Sequence, residues 1–120
     1  MSIDFSLRRC YGVIVNDETV HKIENQIMDK AEELGQDPYI ILDDWMDEYC
    51  KVIDAWSSNS DSFIGVFSEL DGENDFVYNM NDLTIDTEEV ERFKSFCNKY
   101  DINKYLEDIP PNDYLINFCY

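Results

Sequence analysis

CKVIDAWSSNSDSFIGVFSE, residues 50–69, decides the architecture. The apolar positions before it, Leu42, Trp45, Met46 and Tyr49, repeat at helical spacing, and the same period can be carried on through Ile53 to Trp56. Against a continued helix stands SSNSD, residues 57–61, which is turn chemistry flanked by two apolar runs. The stretch therefore reads as a β-hairpin of residues 50–57 with residues 62–69.

Working outward, DGEN at residues 71–74 reads as a second tight turn, returning the chain as a strand over residues 76–80 and completing a three-strand meander. Upstream, residues 11–15 form a first strand. Asn16 then suits a helix N-cap, with Val15 and Val20 as a hydrophobic staple and Asp17 and Glu18 in the first turn. Val20, Ile23, Ile27, Ala31 and Leu34 keep helical spacing until Gly35. Asp37-Pro38 opens a second helix, with Leu42, Trp45, Met46 and Tyr49 on one face and Asp43, Asp44, Asp47 and Glu48 largely on the other. Asp86, with Glu89 three residues on, makes a capping box for a third helix. Ile85 and Val90 are its staple, and Val90, Phe93, Cys97 and Tyr100 face the core. After Pro110-Pro111, DYLINFCY forms a last strand with Tyr114, Ile116 and Phe118 on one face and Leu115 and Cys119 on the other. The expectation is one α+β domain over residues 1–120: two layers, a mainly antiparallel sheet of four to five strands, and three helices over one face. The opposite face is left open to solvent or to a partner.

The 120 residues suffice for a core without disulfide or metal staples, and 44% apolar content argues for a folded chain despite a net charge of −18. That charge excludes nucleic acid and anionic membranes as direct partners and favours basic ones. No segment has the length and apolarity of a signal peptide or membrane span, so the bacterial host cytoplasm is the expected compartment. Cys10, Cys50, Cys97 and Cys119 are scattered, with no C-x-x-C pair, and read as buried thiols.

Catalytic signatures are missing. His21 is the only histidine, the four glycines are isolated, and no nucleophile elbow or phosphate-binding loop occurs. An EF-hand loop begun at Asp71 puts Phe76 where glycine is required, so it fails. No enzyme activity, cofactor or metal is expected.

What remains is the charge. Residues 29–91 hold nineteen carboxylates against Lys30 and Lys51, and a chain selected for solubility alone has no reason to avoid interspersed cations. A rigid surface of this kind can take the place of a phosphate backbone in a basic groove, with aromatic anchors supplying lasting affinity. The residues expected to bind a partner are Asp43, Asp44, Trp45, Asp47, Glu48, Asp54, Trp56, Glu69, Asp71, Glu73, Asp75, Asp86, Glu88 and Glu89. Core packing is the alternative for both tryptophans.

DDWMDEY (43–49), ELDGEND (69–75) and DTEEVE (86–91) resemble the charge patterns of small phage proteins that disable host defence, the DNA-mimic anti-restriction proteins and anti-CRISPR proteins. Those proteins share no common fold. The resemblance implies a non-enzymatic inhibitor of a basic nucleic-acid-binding protein, such as a CRISPR effector or restriction enzyme. An immunity protein neutralising a nuclease toxin, or an acidic phage protein of structural role, is the alternative.

Overall fold

The computed structural model describes residues 5–57, 61–68 and 83–119. The first helix, α1 (Asp17–Glu33), begins where the Asn16 side chain accepts a hydrogen bond from the Thr19 backbone N–H at 2.9 Å. It ends in a Schellman motif: the Gly35 N–H donates to the Glu32 carbonyl and the Gln36 N–H to the Ala31 carbonyl. Val20, Ile23, Ile27 and Ala31 are buried as their spacing requires, while Leu34 at the cap is half exposed.

Helix α2 (Pro38–Glu48) starts with the Asp37 carboxylate accepting from the Tyr39 N–H at 3.0 Å, and Pro38 occupies its first turn, where no N–H is needed. Trp45 is wholly buried, and Tyr49 beside it nearly so. Centring the helix on Trp45 brings Ile41 inward and turns Met46 outward, so Met46 does not belong to the core face expected of it. Helix α3 (Thr87–Lys99) is capped by Asp86, whose carboxylate accepts from the Glu88 N–H at 2.9 Å. Glu89 does not close the expected capping box, because its carboxylate is drawn to Arg92 at 2.9 Å. Cys97 and Tyr100 are buried, and Phe93 and Phe96 pack against them. A 3-10 turn, Asn103–Tyr105, follows.

Among the described residues four strands form one antiparallel sheet: β1 (Phe5–Val15), β2 (Cys50–Val52), β3 (Ser62–Phe67) and β4 (Asn112–Cys119), in the order β2-β3-β1-β4. The fold is thus α+β, with the hairpin where the turn chemistry puts it. Its first strand is shorter than expected. Past Val52 the Asp54 carboxylate accepts from the Trp56 N–H, and the Ser57 N–H donates to the Asp54 carbonyl, so an Asx turn replaces residues 54–57 of the strand. β1 lies beside β3, a pairing not expected from the sequence; the third strand of the meander, residues 76–80, and the turn at 71–74 fall outside the described residues.

One sheet face, carrying Val13, Val15 and Ile64, meets the helices around Trp45, whose ring lies 5.3 Å from Phe96 and 6.4 Å from Phe93. The other face is not open as expected: Cys10, Phe63 and Phe118 are fully buried there, with Ile116, Phe67 and Tyr114 around them. Phe63 and Phe67 are four residues apart, about 13 Å along a straight strand. Their ring centroids are nevertheless 5.2 Å apart, so the two side chains lean toward each other over the position between them. That position is Gly65, directly paired with Gly12, and the Phe63 ring lies over the two glycines.

Candidate functional site

Trp45 and Tyr49 of α2 face Phe93 and Phe96 of α3, with all four ring pairs between 5.3 and 6.4 Å. This aromatic contact joins the two helices through their side chains, and a gap remains between them beside it. The gap is a groove of about 690 Å³ with Ile41, Tyr49, Phe96 and Tyr100 lining it. Asp44 and Glu48, one helical turn apart on α2, form one rim, and Glu88 and Glu91 on α3 form the other. Arg92 and Lys99 are the cations lining it.

Both cations are engaged. The Arg92 guanidinium pairs with Glu89 at 2.9 Å, and Lys99 Nζ sits 5.4 Å above the centroid of the Tyr100 ring. The rim carboxylates are less satisfied: Glu91 reaches Lys94 only at 3.9 Å, and among the described residues no cation pairs with Asp44, Glu48 or Glu88. Their charge is felt inside the groove. Burial first, then the Glu48 charge and its hydrogen bond with the phenol, push the Tyr49 hydroxyl up to about 12. Behind the α2 rim, Asp43 and Asp47 stand on the solvent side with Ile40 and Tyr39, which are 60% and 70% exposed. α2 contains no lysine or arginine, so this acidic ridge has no counter-charge of its own.

The structure therefore brings together Asp44, Glu48 and Glu88 at the groove, with Asp43 and Asp47 on the adjoining ridge. Trp45 is corrected. It is fully buried beneath the groove, where it can position α2 against α3 but cannot touch a partner. Asp54 and Trp56 sit in the turn after β2, away from the groove lining, with Trp56 half exposed. Asp86 caps α3, and Glu89 is tied to Arg92. Glu69, Asp71, Glu73 and Asp75 fall outside the described residues. The lining residues Ile41, Phe96 and Tyr100 were not anticipated as site residues. The helical spacing of residues 88, 91, 95 and 99 was the available signal for the α3 wall.

Elsewhere the chemistry is muted. His21 lies 3.2 Å from Asp17 and 4.0 Å from Glu24 on α1, and is itself exposed. Cys10, Cys50 and Cys97 are free thiols that burial pushes up to about 12, so none is a thiolate near neutral pH. Among the described residues no group of three or more His, Cys, Asp or Glu is placed to hold a metal ion, and no helix is long and apolar enough to cross a membrane. Comparison with known protein families, curated proteins and solved structures finds no match for this chain.

Proposed function

We propose that this protein is a non-enzymatic inhibitor that binds a basic nucleic-acid-binding protein, such as a CRISPR effector or restriction enzyme, through an acidic surface that mimics nucleic acid. The observation that carries this reading is the helix α2. It presents Asp43, Asp44, Asp47 and Glu48 to solvent with no cation on the helix and no ion pair to any of the four among the described residues. Exposed Ile40, Tyr39 and Met46 lie among those charges and supply apolar contact area. Long-range attraction would speed encounter with a basic surface, and the apolar contacts would slow departure. In a cell, such a protein acts in the cytoplasm, where its targets meet nucleic acid.

The test uses purified effectors holding fluorescent duplex DNA or guide RNA. The acidic protein should displace the nucleic acid, with an apparent affinity that falls steeply as salt rises. Reversing Asp43, Asp44, Asp47 and Glu48 to lysine should abolish displacement while the circular dichroism spectrum stays unchanged. Equal displacement by that variant would mean that α2 is not the binding surface. Failure to displace nucleic acid from any effector in the panel would overturn the inhibitor reading.

A further inference from the structure

We infer that the groove between α2 and α3 receives arginine side chains of the partner's nucleic-acid-binding surface; this rests on the inhibitor reading above and names what that surface grips. At about 690 Å³ the groove falls in the size range of cavities that accept side chains or small ligands. Its occupant must be cationic, because two helices distant in sequence each contribute carboxylates to the rims. Asp44, Glu48, Glu88 and Glu91 outnumber Arg92 and Lys99 there.

A metal ion is disfavoured, since among the described residues the carboxylates do not converge into a coordinating group. An organic cation fits better, and the chain itself shows how: Lys99 already holds its ammonium over the Tyr100 ring on the groove wall. Arginine is selected over lysine by Phe96, the partly buried ring of the lining, since Tyr49 and Tyr100 are themselves buried. A planar guanidinium stacks on aromatic faces, is weakly hydrated and so surrenders little water on entering, and can bridge a carboxylate with two parallel hydrogen bonds. Arginine is also the side chain with which proteins commonly grip phosphates, so a groove that accepts it removes that grip from nucleic acid.

Three blocked peptides of equal length test this, one alternating arginine with glycine and two in which lysine or citrulline replaces the arginine. Binding is followed by calorimetry and by amide shifts of the full chain. The arginine peptide should bind more tightly than the lysine peptide, citrulline should not bind, and the shifts should centre on Asp44, Glu48, Glu91, Ser95 and Lys99. Neutralising the rims in one variant, Asp44→Asn with Glu48→Gln and Glu91→Gln, should weaken binding about tenfold. Neutralising the ridge, Asp43→Asn with Asp47→Asn, should weaken it far less. Equal binding of arginine and lysine peptides, equal losses in the two variants, or shifts spread over the whole acidic surface would each overturn the groove. The displacement assay separates this from the broader reading. If the rim-neutral variant still displaces DNA while the lysine variant does not, the groove inference falls and the inhibitor reading stands.

Discussion

Replacing Gly65 with alanine tests the packing at the centre of the sheet. Gly65 has φ +153 and pairs directly with Gly12. A Cβ placed there would press into the Tyr11 carbonyl oxygen of the neighbouring strand, and would lie 2.9 Å from the Gly12 Cα and 3.0 Å from Phe63 Cζ. Two of those three atoms are backbone, so relief requires β1 and β3 to separate, which strains the ladder that joins them. Overpacking of a tight interior costs about 1–3 kcal/mol, and the positive φ adds about 1–2 kcal/mol for a residue with a Cβ. The sum, about 2–5 kcal/mol, is a large share of the roughly 5–15 kcal/mol that holds a domain folded. Gly35 provides the internal control. It has φ +73 but nothing within 4 Å of its would-be Cβ, so Gly35→Ala should incur only the backbone term, about 1–2 kcal/mol. Urea unfolding of both variants, followed by circular dichroism, measures the difference. If Gly65→Ala costs no more than Gly35→Ala, the close approach of the strands is wrong.

Three other expectations concern the core and the charge. Trp45 buries an indole N–H that has no acceptor among the described residues, so Trp45→Phe sheds an unsatisfied donor worth about 1–3 kcal/mol, which offsets much of the lost ring volume. Trp45→Ala should cost about 3–5 kcal/mol, and a phenylalanine variant as unstable as the alanine one would contradict this account. With the thiols of Cys10, Cys50 and Cys97 held up to about 12 in the folded protein, their contribution is intact below the unfolded thiol range near pH 8.5. It is lost as pH climbs toward 12, because only the unfolded chain gains by ionising, so the urea midpoint should fall steadily above about pH 9. A midpoint that stays level up to pH 11 would refute the burial of those thiols. With 27 carboxylates against 9 Lys and Arg, self-repulsion should make added sodium chloride stabilising; a midpoint that drops with salt would mean that surface ion pairs outweigh it.

The helices were the most legible part of the fold because their starts are chemically local. Asn16, Asp37 and Asp86 each accept from a backbone N–H two or three residues on, a bond that can be read from the sequence. The hairpin was legible for the same reason, through its serine-rich turn. β1 was recognised only over its last five residues. Its first half, FSLRR, puts two arginines side by side in a strand, which breaks apolar alternation, and its pairing partner lies over a hundred residues away in β4. The pairing of β1 with β3 was not legible either, since nothing local tells β3 that its neighbour is β1. At the site, the α2 carboxylates were evident from helical phase. The groove was not, because Asp44 and Glu91 are brought together only by the stacking of Trp45 on Phe93 and Phe96.

The position of β1 between β3 and β4 has a consequence for the chain as it is made. β1 emerges from the ribosome before every other element described, yet one side of it pairs with residues 112–119, which emerge last among them. Until residues 112–119 are made, the backbone groups of Phe5–Gly12 on that side lack the strand that pairs with them, and Ile116 and Phe118 are not yet there to complete the apolar face. A nascent chain in this condition carries an uncovered strand edge beside exposed aromatic rings, the combination that invites chains to pair with one another. Its dense negative charge, present on the nascent chain from α1 onward, keeps neighbouring nascent chains apart during that interval.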